Sequence, residues 1–311
     1  MADSFYAAWR ANTLRLARRW DPRGLLVNDE QAKDALAKLK SPRDHGATAL
    51  ARAQWTVDAA VHPVLEQAVP SAFRVCSFLP VTSVLSLAMI SSKSPTAALL
   101  YHWLYQSHSA ATRYCNYADT SRPLDGNRMM TAYAASTAAA WGVSVGVMAL
   151  VSRIPRMNAI GLIVPHTAVA CAGAVSTVMN AERELEDGVA VLDAAGKEVG
   201  VSREAAKATI AKAVLLHSVV VPSCALLLPV VAMRAYVVPR LLRSAPNALW
   251  PVAAGLVVGC SCVITPVVAA TISPEVTIDP QQLEPELAEK ILRGTAGDGA
   301  PVHLRSSREL Y

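Results

Sequence analysis

The chain has 311 residues, 53% of them hydrophobic and only 5% aromatic, and a net charge of +5. Its mean hydropathy is +0.30, and the apolar content is mostly Ala, Val and Leu, small residues that suit helices packed closely in lipid. No block of like charges marks a nucleic-acid binder, and no Walker A, GxGxxG or paired-carboxylate arrangement marks soluble-enzyme chemistry, so neither nucleic acid nor an enzymatic reaction is expected.

The first element in chain order is Trp9–Trp20, which carries Arg10, Arg15, Arg18 and Arg19 without an acid. It reads either as an organelle-import segment or as a basic helix on a membrane surface; no secretory apolar run follows the first charges. Residues 1–73 are expected to form a polar, largely helical N-terminal region. Asn28 before Asp29 and Glu30 predicts a helix start, running to about Lys40. Ser41–Gly46 reads as a turn, and a second helix, about Thr48–Val61, ends at His62-Pro63.

Residues 74–272 predict a transmembrane helical bundle with a polar loop at 182–212. Between Arg243 and Glu275 the chain has no formal charge, and Ser94–Thr112, Met129–Val151, Met157–Ala181 and Ala213–Met233 are equally free of Asp, Glu, Lys and Arg. A helix crosses lipid with roughly 20 apolar residues. The expected segments are Val75–Ser92, Pro95–Tyr117, Met129–Val151, Ala159–Asn180, Ala213–Met233 and Ala248–Ile272. The second is amphipathic, with His102, Gln106, Ser107, Ser109 and Asn116 among apolar residues, and either spans beside a polar cavity or lies at the interface. The fold class is therefore all-α: a polytopic helical membrane protein with about five or six membrane segments. A polar tail, 273–311, has a short helix around Leu283–Leu292 and then no evident fold. The purely basic connections Arg153–Arg156 and Arg234–Arg243 fall on one side, which the positive-inside rule makes the interior.

Within the spans, His102, His108, His166 and His217 are either satisfied by a backbone carbonyl or functional. Their spacing matches no metal site, so neither metal nor cofactor is expected. Gly142 and Gly146 fit a nucleophile elbow, but inside an apolar helix that fit is accidental. The same pair, and Gly255 with Gly259, place two glycines on one helix face for close helix packing. Pro165, Pro222, Pro229, Pro251 and Pro266 predict kinks or broken helices. The cysteines, including Cys76 and Cys260, read as small buried apolar residues.

Several collinear pieces resemble the sideroflexins, a family of mitochondrial inner-membrane proteins that carry serine and related amino acids. Asp21–Leu26 is similar to an early Asp-Pro-Arg element, and Trp55–Pro63 to a segment ending in His-Pro-Asp-Thr. Trp103, Gln106, Ser107, Ala110, Tyr114 and Asn116 follow the family's amide-rich stretch. Glu184–Val191, Gly196, Gly200–Ser202 and Ala205-Ala206 follow its central loop, and Leu283-Glu284-Pro285-Glu286-Leu287 its C-terminal element. The departures fall on polar groups. His62-Pro63 continues into Val64-Leu65, Tyr105, Ser109 and Arg113 replace asparagines, and Gly173 and Ser176 stand where two more are expected. Asn180-Ala181 replaces a Met-Arg pair, and Leu216-His217 a Ser-Arg pair.

The resemblance implies transport of serine or a related small amino acid across the mitochondrial inner membrane. His102, Gln106, Ser107, Ser109, Asn116, Ser176 and Asn180 are then candidate substrate contacts, with Pro165, Pro222 and Pro229 as kinks for alternating access. The lost amides fit equally an accessory subunit of a large inner-membrane complex. The partners implied are membrane lipid, a small amino acid and, on the second reading, other subunits.

Overall fold

The computed structural model describes residues 18–62, 64–92, 94–117, 125–153, 163–192, 198–264, 276–295 and 304–306. Most of the Trp9–Trp20 segment, Pro63, Arg153–Arg156 beyond Arg153, the start of the fourth segment, Gly196, Pro266 and the end of the sixth segment lie outside them. The chain divides into two compact units, Met1–Met129 with Ala232–Val263 and Met130–Val231 with Ile264–Tyr311.

The first unit begins with a short turn, Pro22–Leu26, and two helices, α1 (Asp29–Lys40) and α2 (Ala47–Ala60). Asn28 and Gln31 form a reciprocal capping box: Gln31 N donates to Asn28 Oδ1 (2.8 Å) and Asn28 N to Gln31 Oε1 (3.0 Å). Asp29 and Glu30 open α1, and Lys38 and Lys40 close it, matching the helix dipole at both ends. Ala32 of α1 packs with Val27, Ala60 and Val61. Helix α3 (Val75–Ser91) and helix α4 (Pro95–Cys115) follow as a hairpin. Pro80 inside α3 removes one ladder donor. Thr82 and Ser83 return their hydroxyls to the carbonyls of Phe78 (2.6 Å) and Leu79 (2.6 Å).

Helix α5 (Gly126–Arg153) leads into the second unit, which holds α6 (Val164–Asn180) and the short α7 (Glu182–Asp187). Strands β1 (Val189–Leu192) and β2 (Glu198–Ser202) then form a hairpin. The C-terminal residues supply β3 (Thr277–Ile278), a helix over Pro285–Thr295 and β4 (Leu304–Ser306). They close an antiparallel four-stranded sheet of order β2-β1-β4-β3, with Val191 opposite Ser306. Two expectations are corrected here. The chain is mostly helical and not all-α, and the described part of the tail adds two strands to a sheet: β4 pairs with β3 and, more than a hundred positions away, with β1, a pairing that no local pattern encodes.

Helix α8 (Arg203–Arg240) and helix α9 (Pro246–Ile264) complete the chain's long elements; the tail helix Pro285–Thr295 is α10. Along α8 the backbone ladder widens to π-helical spacing at Leu215–Val220, Ser223–Leu227 and Met233–Val237. Each widened stretch ends two residues before a proline: Pro222, Pro229 and Pro239. A proline has no N–H and crowds the carbonyl four residues back. Those carbonyls belong to Ser218, Ala225 and Ala235, each inside a widened turn, so the extra residue per turn accommodates the ring without breaking the helix. Cys260–Ile264 of α9 is widened too, and Pro266 stands in the same sequence relation to it. Pro165 behaves differently: it lies in the first turn of α6, where a missing N–H costs nothing, so it starts that helix instead of kinking it.

Among the described residues three helices are long and apolar enough to cross a membrane: Gly126–Leu150, Arg203–Arg240 and Pro246–Ile264; Val75–Ser91 is apolar but shorter. Apolar side chains on them face outward, including Val145 (53% exposed), Val231 (50%), Trp250 (59%) and Val263 (62%). That surface suits hydrocarbon and not water.

Candidate functional site

In the first unit the polar side chains turn inward. On α4, His102, Tyr105, Gln106 and Thr112 are buried, a spacing that puts them along one face, while Leu100, Trp103 and Leu104 are exposed. The hairpin register follows from Phe78, whose ring lies against His108 (centroids 5.9 Å apart). Serines 77, 83 and 86 and Thr82 of α3 are buried as well, and Ser261 is buried in the widened turn of α9, which packs on α3. Ser83 Oγ lies 3.8 Å from Cys262 Sγ. Among the described residues no partner reaches Ser86 Oγ, His102 Nδ1, His108 Nδ1, Thr112 Oγ1 or Ser261 Oγ. Each such buried group costs on the order of 1–3 kcal/mol, which bonding to a polar guest would recover. Among the described residues the buried polar side chains of the α3 and α4 seam are one amide, an imidazole and hydroxyls.

The sequence candidates divide. His102 (1% exposed) and Gln106 (6%) lie in the seam, with Ser107 and Ser109 half-buried on the same helix. Asn116 serves the backbone: its Nδ2 donates to Phe73 O (2.7 Å) and Thr112 O (2.7 Å), tying the end of α4 to the turn before α3. Ser176 and Asn180 belong to the second unit, where the exposed Asn180 donates to Ser176 O (2.7 Å) and Oγ (3.3 Å). Ser86, Thr112 and Ser261 were not singled out by sequence, because hydroxyls in apolar helices usually bond back to their own helix, as Thr82 and Ser83 do.

In a smaller polar group of the second unit, His166 and Gly173 were marked by sequence but their serine partners were not. His166 Nε2 lies 3.0 Å from Ser223 Oγ. Gly173 abuts Ser218, where an added Cβ would come 3.0 Å from Ser218 Oγ. That hydroxyl is buried, has no partner among the described residues, and sits in the first widened turn of α8. The serine thus occupies space that a larger residue at 173 would need.

The signature residues fold the chain. His62 Nδ1 accepts from Val64 N (3.1 Å) and Leu65 N (3.1 Å), capping a turn whose Val64 and Leu65 side chains are exposed. Burial, with Arg19 as a lesser cause, holds its pKa below the usual imidazole value. Asp21 accepts from Arg23 (Nη2, 2.6 Å) and from Trp55 Nε1 (3.2 Å), so the Asp-Pro-Arg element clamps α2. Hydrogen bonding from Arg23 is the main reason its carboxyl lies below the usual range. The Glu184 carbonyl accepts from Gly188 N (2.9 Å) to end α7. Pro285 and Glu286 open α10. Gly188 has φ +85, and an added Cβ would lie 2.8 Å from Val201 Cγ1 and 2.9 Å from Ser202 C. Gly188→Ala is expected to destabilise by about 1–3 kcal/mol, read as a lowered unfolding midpoint, with Gly46→Ala, where a Cβ meets nothing, as the control. At Gly142, Gly146, Gly255 and Gly259 a Cβ likewise meets nothing within 4 Å among the described residues, so these faces pack on no helix described here.

Glu284 reaches across from the tail to cap α8. Its Oε1 accepts from Arg203 N (2.7 Å) and, more weakly, from Glu204 N (3.3 Å), beside the N-cap Ser202. Burial alone would raise this carboxyl, but the bonds from Ser202 and the backbone outweigh it and the pKa is lowered. A depressed folded pKa means the stabilisation is complete above the unfolded value of about 4.3 and is lost as pH falls through the folded one. Glu284→Gln is expected to cost about 1 kcal/mol at pH 7 and to weaken the acid dependence of the unfolding midpoint below that value.

Among the described residues no three His, Cys, Asp or Glu side chains are grouped to hold a metal. Helices apolar on the outside around buried hydroxyls, an amide and imidazoles define a helical membrane protein with a polar interior. Residues 12–300 match the family model described as Sideroflexins, and the chain belongs to that family. Sideroflexin-3 of Mus musculus is 30% identical over 280 residues, covering 87% of this chain and 85% of the relative. Sideroflexin-1 of Sus scrofa is 29% identical over 278 residues, covering 87% and 85%. Sideroflexin-5 of Homo sapiens is 28% identical over 283 residues, covering 86% and 82%. No solved structure matches the chain significantly.

Proposed function

We propose that this sideroflexin carries serine or a related small amino acid across the mitochondrial inner membrane, with residues 74–272 forming five or six membrane segments, α4 among them. The observation that carries the reading is the buried seam of α3 and α4, where His102 Nδ1 and several hydroxyls have no partner among the described residues. A zwitterion leaving water needs replacement donors and acceptors, because unpaired polar groups are costly in hydrocarbon. His102, Gln106, Ser107 and Ser109 supply them on α4; in the second unit Ser176, with Asn180 bonded to it, and Ser218 are further candidate contacts. The prolines Pro222 and Pro229, with their widened turns, are the candidate hinges.

The open faces at Gly142, Gly146, Gly255 and Gly259 favour a second reading, an accessory subunit that packs helices of other chains against them. Uptake of labelled serine into proteoliposomes containing only this protein separates the two. Saturable uptake supports transport. Absence of uptake by folded, inserted protein, together with co-purification in a large inner-membrane assembly, overturns it in favour of the accessory role.

A further inference from the structure

Arg74 is 2% exposed, yet it hydrogen-bonds no carboxylate. Its Nε donates to Val69 O (2.8 Å), and its Nη1 to Gly24 O (2.6 Å) and Val27 O (2.8 Å). Nη2 has no hydrogen-bond partner among the described residues. Only neutral carbonyls touch this buried cation, and the Asp29 carboxylate favours its charge without hydrogen-bonding to it. Arg74 also lines an open surface cleft of about 560 Å³, together with Leu25, Leu26, Asp29, Glu30 and Ser71.

The charges select the guest. A simple anion drawn to Arg74 meets Asp29 and Glu30, and a simple cation drawn to the two acids meets Arg74. Only a ligand with an anionic group joined by a short link to a cation complements both. With Nε and Nη1 taken by carbonyls, Nη2 is the donor left for one oxygen of a phosphate or carboxylate, and two carboxylates suit a primary ammonium that donates hydrogen bonds. Leu26 is 82% exposed beside this pocket, and Arg74 immediately precedes the apolar helix α3. If α3 enters the bilayer, as the membrane reading above holds, Arg74 lies at headgroup depth. We propose that this cleft binds a zwitterionic phospholipid headgroup with a primary ammonium, its phosphate on Arg74 and Ser71 and its ammonium on Asp29 and Glu30. A free amino acid shares the anion–ammonium chemistry; the depth and the exposed leucine favour the lipid. The site is separate from the transport seam.

The test reconstitutes the full chain into vesicles of equal phosphatidylethanolamine, phosphatidylcholine and phosphatidylglycerol, extracts it, and quantifies retained lipid by native mass spectrometry. Retention of phosphatidylethanolamine is expected to exceed that of the other two by at least about tenfold, and the exposed double variant Asp29→Asn/Glu30→Gln is expected to abolish that preference. The double variant avoids Arg74, whose replacement endangers folding. Equal retention of all three lipids, preference for phosphatidylglycerol, or a double variant that behaves as wild type overturns the proposal. So does binding of free serine, without lipid, that the double variant abolishes, since that assigns the pocket to a soluble ligand. Flotation of the protein with the vesicles is scored separately, so failure of the membrane reading appears as unfloated protein and not as lost lipid preference.

Discussion

Arg74→Met is expected to destabilise the protein by about 3–5 kcal/mol. The guanidinium ties three segments at once: the turn Pro22–Leu26 through Gly24 O, the start of α1 through Val27 O, and the approach to α3 through Val69 O. Methionine fills a similar length but offers no donor, so three carbonyls lose partners in a buried place, at on the order of 1–3 kcal/mol each. Relief of burying the charge offsets part of that sum; burial already pulls the Arg74 pKa below its ordinary value. Lysine cannot reproduce a fork that bonds three acceptors in different directions, so Arg74→Lys is expected to recover only part of the loss. Thermal unfolding in detergent is the measurement. A methionine variant within about 1 kcal/mol of wild type, inside the range of ordinary substitutions, would refute this account of how the N-terminal helices are joined to α3.

Gln106→Leu is expected to leave folding intact and to lower serine uptake by roughly 10- to 100-fold. The side chain is 6% exposed, and leucine is close to glutamine in volume and favours a helix, so leucine is accommodated. What disappears is an amide able to donate and accept at once. A hydrogen bond to a charged group is worth about 1.5–3 kcal/mol, and each 1.4 kcal/mol is a factor of about ten. Uptake at several serine concentrations, normalised to inserted protein, reads the effect. A variant that folds and transports normally would remove Gln106 from the substrate path.

Much of the fold was legible because its signals are local. The Asn28 cap, the turn at Ser41–Gly46 and the charge-free runs are local in sequence, and α1 and α2 begin and end close to where those signals fall; α8, at Arg203–Arg240, extends well past the charge-free run Ala213–Met233 at both ends. The widened turns of α8 were legible in part: prolines marked where the ladder is disturbed, but not that the helix continues through them. Pro165 shows the limit, since whether a proline kinks or starts a helix depends on where the helix begins. The sheet was not legible, because Val191 pairs with Ser306 across most of the second unit's sequence. For the candidate site, large polar residues such as His102 and Gln106 stood out against their apolar surroundings. Ser86, Thr112, Ser218 and Ser261 did not, because a serine that bonds to its own helix and one left open look alike in a sequence. Arg74 did not stand out either, because nothing local announced the three carbonyls it gathers, two of them nearly fifty residues away.

The proline-linked turns of α8 give this rod a capacity that a uniform helix lacks. Each carries one residue more than an α-turn, so relaxing a single joint would twist everything beyond it by about one residue's angle, and advance it slightly, while leaving most of the ladder closed. Two such joints lie in series within the second unit, at Leu215–Val220 and Ser223–Leu227, so rewinding at the first would turn the short stretch of helix between it and Val231 with no need for that stretch to bend.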